Sequence, residues 1–118
     1  MKKSIFVIML LASSIFAHAQ KANKQTIVIK TQISCNHCLQ CGSCGANIRE
    51  HITVNKGIKK VAINPRKNTI TVTFDANKVT PEIIKDSILK AGYDADEQKA
   101  PAHAVNALDG CCKNKSNN

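Results

Sequence analysis

The chain has 118 residues, a formal net charge of +9, six Cys, one Tyr and no Trp. That length suits one domain with a modest core. The lysines are scattered from Lys21 to Lys115 with almost no aromatic side chains among them, which excludes a base-stacking nucleic-acid platform and reads as a solvated surface.

Lys2 and Lys3 precede an apolar run, Ile5–Ala12, and Ala17-His18-Ala19 supplies the small residues of a cleavage site before Gln20. This is the pattern of a secretory signal peptide over residues 1–19. The run is shorter than the ~20 residues a spanning helix needs. Cleavage is therefore expected to leave no stable membrane insertion and a periplasmic or secreted protein.

Thr26–Ile33 is β-branched and alternates, so it is expected to be a strand. Ser34–Gly42 has no periodicity and reads as a loop. Ser43–Val54 carries Ile48 and Ile52 one helical turn apart, with Ser43 as a plausible N-cap and Gly57 beyond its end. Ile58–Ile63 is a second strand, and Asn64–Asn68 is turn chemistry. Thr69–Phe74 alternates strictly and pairs with it as a hairpin. Thr80-Pro81-Glu82 opens a helix by cap, N1 proline and acidic first turn. Ile84, Ile88 and Ala91 line that helix and Gly92 stops it. Tyr93–Ala95 reads as a short last strand, and Ala102–Leu108 as one helical turn beyond it.

The order strand, helix, strand, strand, helix, strand predicts an α+β fold. It is the ferredoxin-like βαββαβ arrangement, a four-stranded antiparallel sheet with two helices on one face. The domain is expected over residues 25–97, followed by a flexible cysteine-containing tail over 98–118.

Four of the six cysteines lie between Cys35 and Cys44 at two-residue gaps, as Cys35-x-x-Cys38-x-x-Cys41-x-x-Cys44. Clustering of this kind points to a site before a disulfide framework. The pair Cys41/Cys44 falls at the start of the first predicted helix. There the dipole and free amides favour thiolate. Soft sulfur ligands select Cu(I), with Hg(II), Ag(I) and Zn(II) as alternatives, and hard ions find no carboxylate cluster. The metal-ligating candidates are Cys41, Cys44, Cys35 and Cys38, with His37, Cys111 and Cys112 as further candidates. His51 reads as a surface residue of the first helix. Small disulfide rings, Cys35–Cys38 and Cys41–Cys44, are the structural alternative.

From Ile27 to Ala95 the chain resembles the heavy-metal-associated domain of copper chaperones, copper-transporting ATPases and periplasmic mercuric-ion scavengers. The likeness is carried by Cys41-Gly42-Ser43-Cys44 with Ile48 and Ile52, by Gly57–Ile63, by Ile70 and Val72, by Val79–Ile84 and by Ala91–Ala95. The resemblance implies non-catalytic binding of one soft ion by two thiolates, for transfer or sequestration. It makes a metal-transporting ATPase or efflux complex the natural partner. Position 39 is Leu where the family usually has Met, and Cys35/Cys38 is a second pair beyond the family pattern. A register that makes Cys35/Cys38 the family pair needs an insertion before Ile48, whereas Cys41/Cys44 needs none. Tyr93 resembles the family residue that packs near the metal loop. Two other classes remain open: a thiol–disulfide redox protein using the CxxC pairs, and a structural zinc module.

Overall fold

The computed structural model describes residues 21–33, 44–108, 110 and 112. In chain order they form β1 (Lys24–Lys30), α1 (Cys44–Thr53), β2 (Ile58–Asn64), β3 (Thr69–Asp75), α2 (Pro81–Lys90) and α3 (Ala102–Asn106). No helix among the described residues is long and apolar enough to cross a membrane.

The strictly alternating β3 is the central strand, antiparallel to β1 on one side and β2 on the other. Its register sets Ile27 and Val61 against Val72, and Ile29 and Ile63 against Ile70. Residues opposite one another share a face, so these positions make one apolar surface. Ile48 and Ile52 of α1 and Ile84 and Ile88 of α2 join it in a single buried cluster. Each fully buried isoleucine contributes about 1.5–3 kcal/mol of transfer free energy. On the other face Val28 is 61% exposed, and the Thr26 and Thr73 hydroxyls meet at 3.1 Å.

Polar contacts hold the helices in register. The Asn47 side-chain amide donates to the Ala91 carbonyl at 2.9 Å, tying the first turn of α1 to the end of α2. The Asn55 amide donates to Ser87 Oγ at 2.8 Å, and that hydroxyl donates to the Ile83 carbonyl. α2 opens as its sequence dictates: Thr80 is the N-cap, its Oγ1 accepting from the Ile83 amide, and Pro81 follows at the first helical position.

The end of β1 is fixed by Asn68, which sits at φ 53°, a conformation Asn tolerates better than most residues. Its carbonyl accepts from the Thr31 amide at 2.9 Å, and its Oδ1 accepts from the Ile33 amide at 3.2 Å. The chain leaving the sheet toward residue 34 is thereby anchored, and β1 ends at Lys30, short of the expected Ile33.

The expected fourth strand, Tyr93–Ala95, is not present; among the described residues the sheet has three strands. Ala95 makes only an isolated bridge to Gln98. The cause lies at Asp96, whose φ of 52° turns the chain out of the extended region. One rung survives in altered form. The Asp96 amide donates to the Lys30 carbonyl at 2.8 Å, while Asp96 Oδ1, in place of a backbone oxygen, accepts from the Lys30 amide at 2.8 Å. Its other oxygen pairs with Lys85 Nζ at 2.8 Å. That lysine, opposed by partial burial and helped by the Lys30 amide, holds the Asp96 carboxyl below the usual carboxylate range.

Asp75, at the end of β3, is buried. Its Oδ1 accepts from the amides of Asn77 at 3.0 Å and Asn23 at 3.1 Å. The Asn77 amide is the main reason its carboxyl lies below the ordinary range, against the opposing cost of burial.

Candidate metal site

Cys44 is the first residue of α1 and is completely buried, on the same side of the helix as Ile48 and Ile52. No acidic side chain stands in the first turn, so nothing negative on the helix competes there with a sulfur anion. Burial opposes charge on a thiol, and the helix end favours it.

The Cys44 sulfur is bonded to Cys112, 68 residues away in sequence, across a Cα–Cα distance of 6.0 Å. The sequence reading treats both as thiolate candidates. In this oxidised form each sulfur is held by the other, and a Cys41–Cys44 ring is ruled out by the same bond. Cys35, His37, Cys38, Cys41 and Cys111 lie outside the described residues. Among the described residues there is no group of three or more His, Cys, Asp or Glu that could hold an ion.

The bridge rests on a docked segment. Within the segment beyond residue 97, α3 falls in the predicted helical turn Ala102–Leu108, and Leu108 packs against the core cluster. Gly92 makes this docking possible. It sits at φ 94°, and a Cβ there would stand 2.8 Å from the Ala104 carbonyl oxygen and 2.9 Å from Leu108 Cγ. Only glycine accommodates both the backbone conformation and that approach. The Asp94 carboxylate accepts from the Ala100 amide at 2.9 Å and fixes the approach to α3. Cys112 itself is 3% exposed.

A pocket of about 290 Å³ opens between α1, the end of α2 and α3, with Asn47, His51, Lys90, Leu108 and Cys112 on its wall. His51 is half-buried there rather than a surface residue. Its Nδ1 lies 2.9 Å from the Asn47 carbonyl oxygen. A carbonyl only accepts, so in the neutral ring Nδ1 carries the proton and Nε2 the lone pair. Tyr93 is buried in the core cluster.

Sequence reasoning missed the Cys44–Cys112 pairing and the docking of Leu108. In sequence Gly92 reads as a helix stop alone, and its second role, the close approach of Ala104 and Leu108, appears only in the fold.

Residues 37–94 match the family profile of the heavy-metal-associated domain. The chain carries a heavy-metal-associated domain. The matched stretch runs from the cysteine segment through α1, β2, β3 and α2. Solved structures agree. The putative copper-ion-binding protein from Bacillus anthracis str. Ames is 23% identical over 64% of this chain and 100% of its own, with a TM-score of 0.55. Oxidized MerP from Ralstonia metallidurans CH34 is 22% identical over 62% of this chain and 94% of its own, with a TM-score of 0.52. At these identities the likeness is one of fold. A copper-binding domain from HMA7, a P-type ATPase, is 25% identical over 60% of this chain and 89% of its own, with a TM-score of 0.51. No curated protein matches the chain.

Proposed function

We propose that this protein binds a soft metal ion, Cu(I) before Hg(II), Ag(I) or Zn(II), through the reduced thiolates of Cys41 and Cys44. It acts as an exported carrier or sequestering protein, not as a catalyst, and exchanges its ion with a metal-transporting ATPase or efflux complex. The observation that carries this reading is Cys44 as the opening residue of α1 within the matched domain. A sulfur at a helix N-terminus is deprotonated more easily than a free thiol, and thiolate is the form that ligates. The match begins at residue 37, beyond Cys35, which supports Cys41/Cys44 over Cys35/Cys38 as the principal pair. A covalent disulfide belongs to oxidising compartments, which supports the signal-peptide reading of residues 1–19.

The test is a titration of the reduced chain with Cu(I) and with Zn²⁺ against a competing chelator. Cu(I) is expected to bind far more tightly, and a Cys41→Ser/Cys44→Ser variant is expected to lose that affinity with its fold intact. Full Cu(I) affinity in the double variant would sink the assignment.

The Cys44–Cys112 bridge favours a second reading, thiol–disulfide exchange. Turnover of insulin disulfides by the metal-free reduced protein, dependent on Cys44, would establish it. A structural zinc module would instead unfold when a chelator removes zinc.

A further inference from the structure

We infer that Cys112 is itself a metal ligand, adding a thiolate from the C-terminal segment to the ion held at Cys44. This deepens the soft-ion reading above and depends on it.

The placement of Cys112 does not depend on its bond to Cys44 alone. α3 and Leu108 seat the segment over Gly92, and Leu108, four residues before Cys112, packs against the core cluster. Reduction therefore leaves Cys112 tethered beside Cys44 by packing. The two Cα atoms are 6.0 Å apart. Two sulfurs bound to one soft ion at ~2.3 Å each stand at most ~4.6 Å apart. Cysteine side chains reach that separation by rotating about Cα positions so spaced, without moving the backbone. Both positions are nearly closed to solvent, which shields a bound Cu(I) from water and oxidant. Cys44 and Cys112 both belong to the buried apolar cluster, and such surroundings suit an ion–thiolate unit of low charge better than a hydrated ion.

Loading requires the bridge to open first. A dithiol reductant supplies the two electrons. The Cys44–Cys112 S–S bond breaks, each sulfur takes one proton from the reductant, and the reductant closes to its own disulfide. Binding Cu(I) then releases both protons to solvent as the thiolates form. The same residue thus occupies Cys44 covalently when oxidised and shares its ion when reduced.

The experiment uses the full chain, reduced, with Cu(I) as the probe. X-ray absorption counts the sulfur neighbours, and chelator competition gives the affinity. Cys112→Ser is expected to remove one sulfur from the copper shell and weaken binding by roughly 10–100-fold. Cys112→His is expected to exchange one Cu–S neighbour for Cu–N, which a merely structural role for Cys112 does not predict. Urea unfolding of each reduced variant against reduced wild type shows whether the fold is kept. An unchanged sulfur count and affinity in folded Cys112→Ser, with binding still lost in Cys41→Ser/Cys44→Ser, would overturn this inference and leave the proposed function standing. Full affinity in the double variant would instead overturn the proposed function itself.

Discussion

The two long helices begin in opposite ways. α2 starts on stabilising chemistry: the Thr80 hydroxyl takes up an amide, Pro81 needs no partner for its nitrogen, and Glu82 meets the positive end of the dipole. α1 starts on Cys44, with no acidic residue in its first turn, and its opening side chain is spent on a bond to a distant cysteine. Both helices bury isoleucines one turn apart against the same sheet surface, so the difference is confined to their first turns. Where a helix end is used for structure, ordinary capping residues occupy it. At α1 the expected N-cap, Ser43, lies outside the described residues, and the contrast rests on Cys44 itself, a sulfur in the favourable field of the helix end.

Five substitutions, one of them followed through a pH titration, separate these two roles. The largest expected effect is on binding. Cys44→Ser in the reduced protein should weaken Cu(I) binding by about a thousand-fold, equivalent to about 4 kcal/mol, and because the side chain is buried the new hydroxyl should cost about 1–3 kcal/mol in unfolding free energy. Comparable metal affinity in that variant would erase the distinction between the helices. Ile88→Ala, deep under α2, should cost about 2–5 kcal/mol in a denaturant titration and leave the intrinsic preference for Cu(I) in place. Gly92→Ala should cost about 1–3 kcal/mol, and it should also loosen α3, seen as faster reduction of the Cys44–Cys112 bridge. An unaltered reduction rate would show that Gly92 does not govern the docking. Thr80→Ala should cost about 1 kcal/mol with no effect on metal.

The smallest effect is on pH. Asp75 and Asp96 have folded pKa values depressed below the ordinary range, chiefly by the Asn77 amide and by Lys85 respectively. Their stabilisation is fully present above the unfolded carboxylate range near pH ~4. It is lost as pH falls through the folded values. Lys85, raised by Asp96, contributes below its usual value and loses that contribution in strong alkali. Asp96→Asn should flatten the acid limb, as followed by circular dichroism between pH ~5 and ~2.

How far the sequence could be read follows from the range of each interaction. α2 and β3 are legible because their signals are local: a capping triplet, and alternation between threonine and apolar residues. β2 begins where expected, at Ile58, and α3 falls within the predicted turn. The failures are at long range. Tyr93–Ala95 looks extended until Asp96 leaves the allowed strand region to meet Lys30 and Lys85, partners that only the fold supplies. The pairing of Cys44 with Cys112 joins residues 68 apart, and no spacing rule links them. For the site, the helix-start position of Cys44 was visible from the motif, whereas the docked segment that delivers Cys112 depends on what Gly92 allows above it.

The single rung between Asp96 and Lys30 has a consequence for how copies of the chain meet. A full fourth strand would cover the outer rim of β1; one rung covers only its end, and among the described residues no strand covers the backbone groups farther along, at Thr26 and Val28, which can template an added strand. Two such rims brought together antiparallel about Ile27 would set Lys24 of each against Lys30 of the other. Like charges directly opposed in a sheet are destabilising, so β1 carries its own electrostatic guard against edge-to-edge polymerisation.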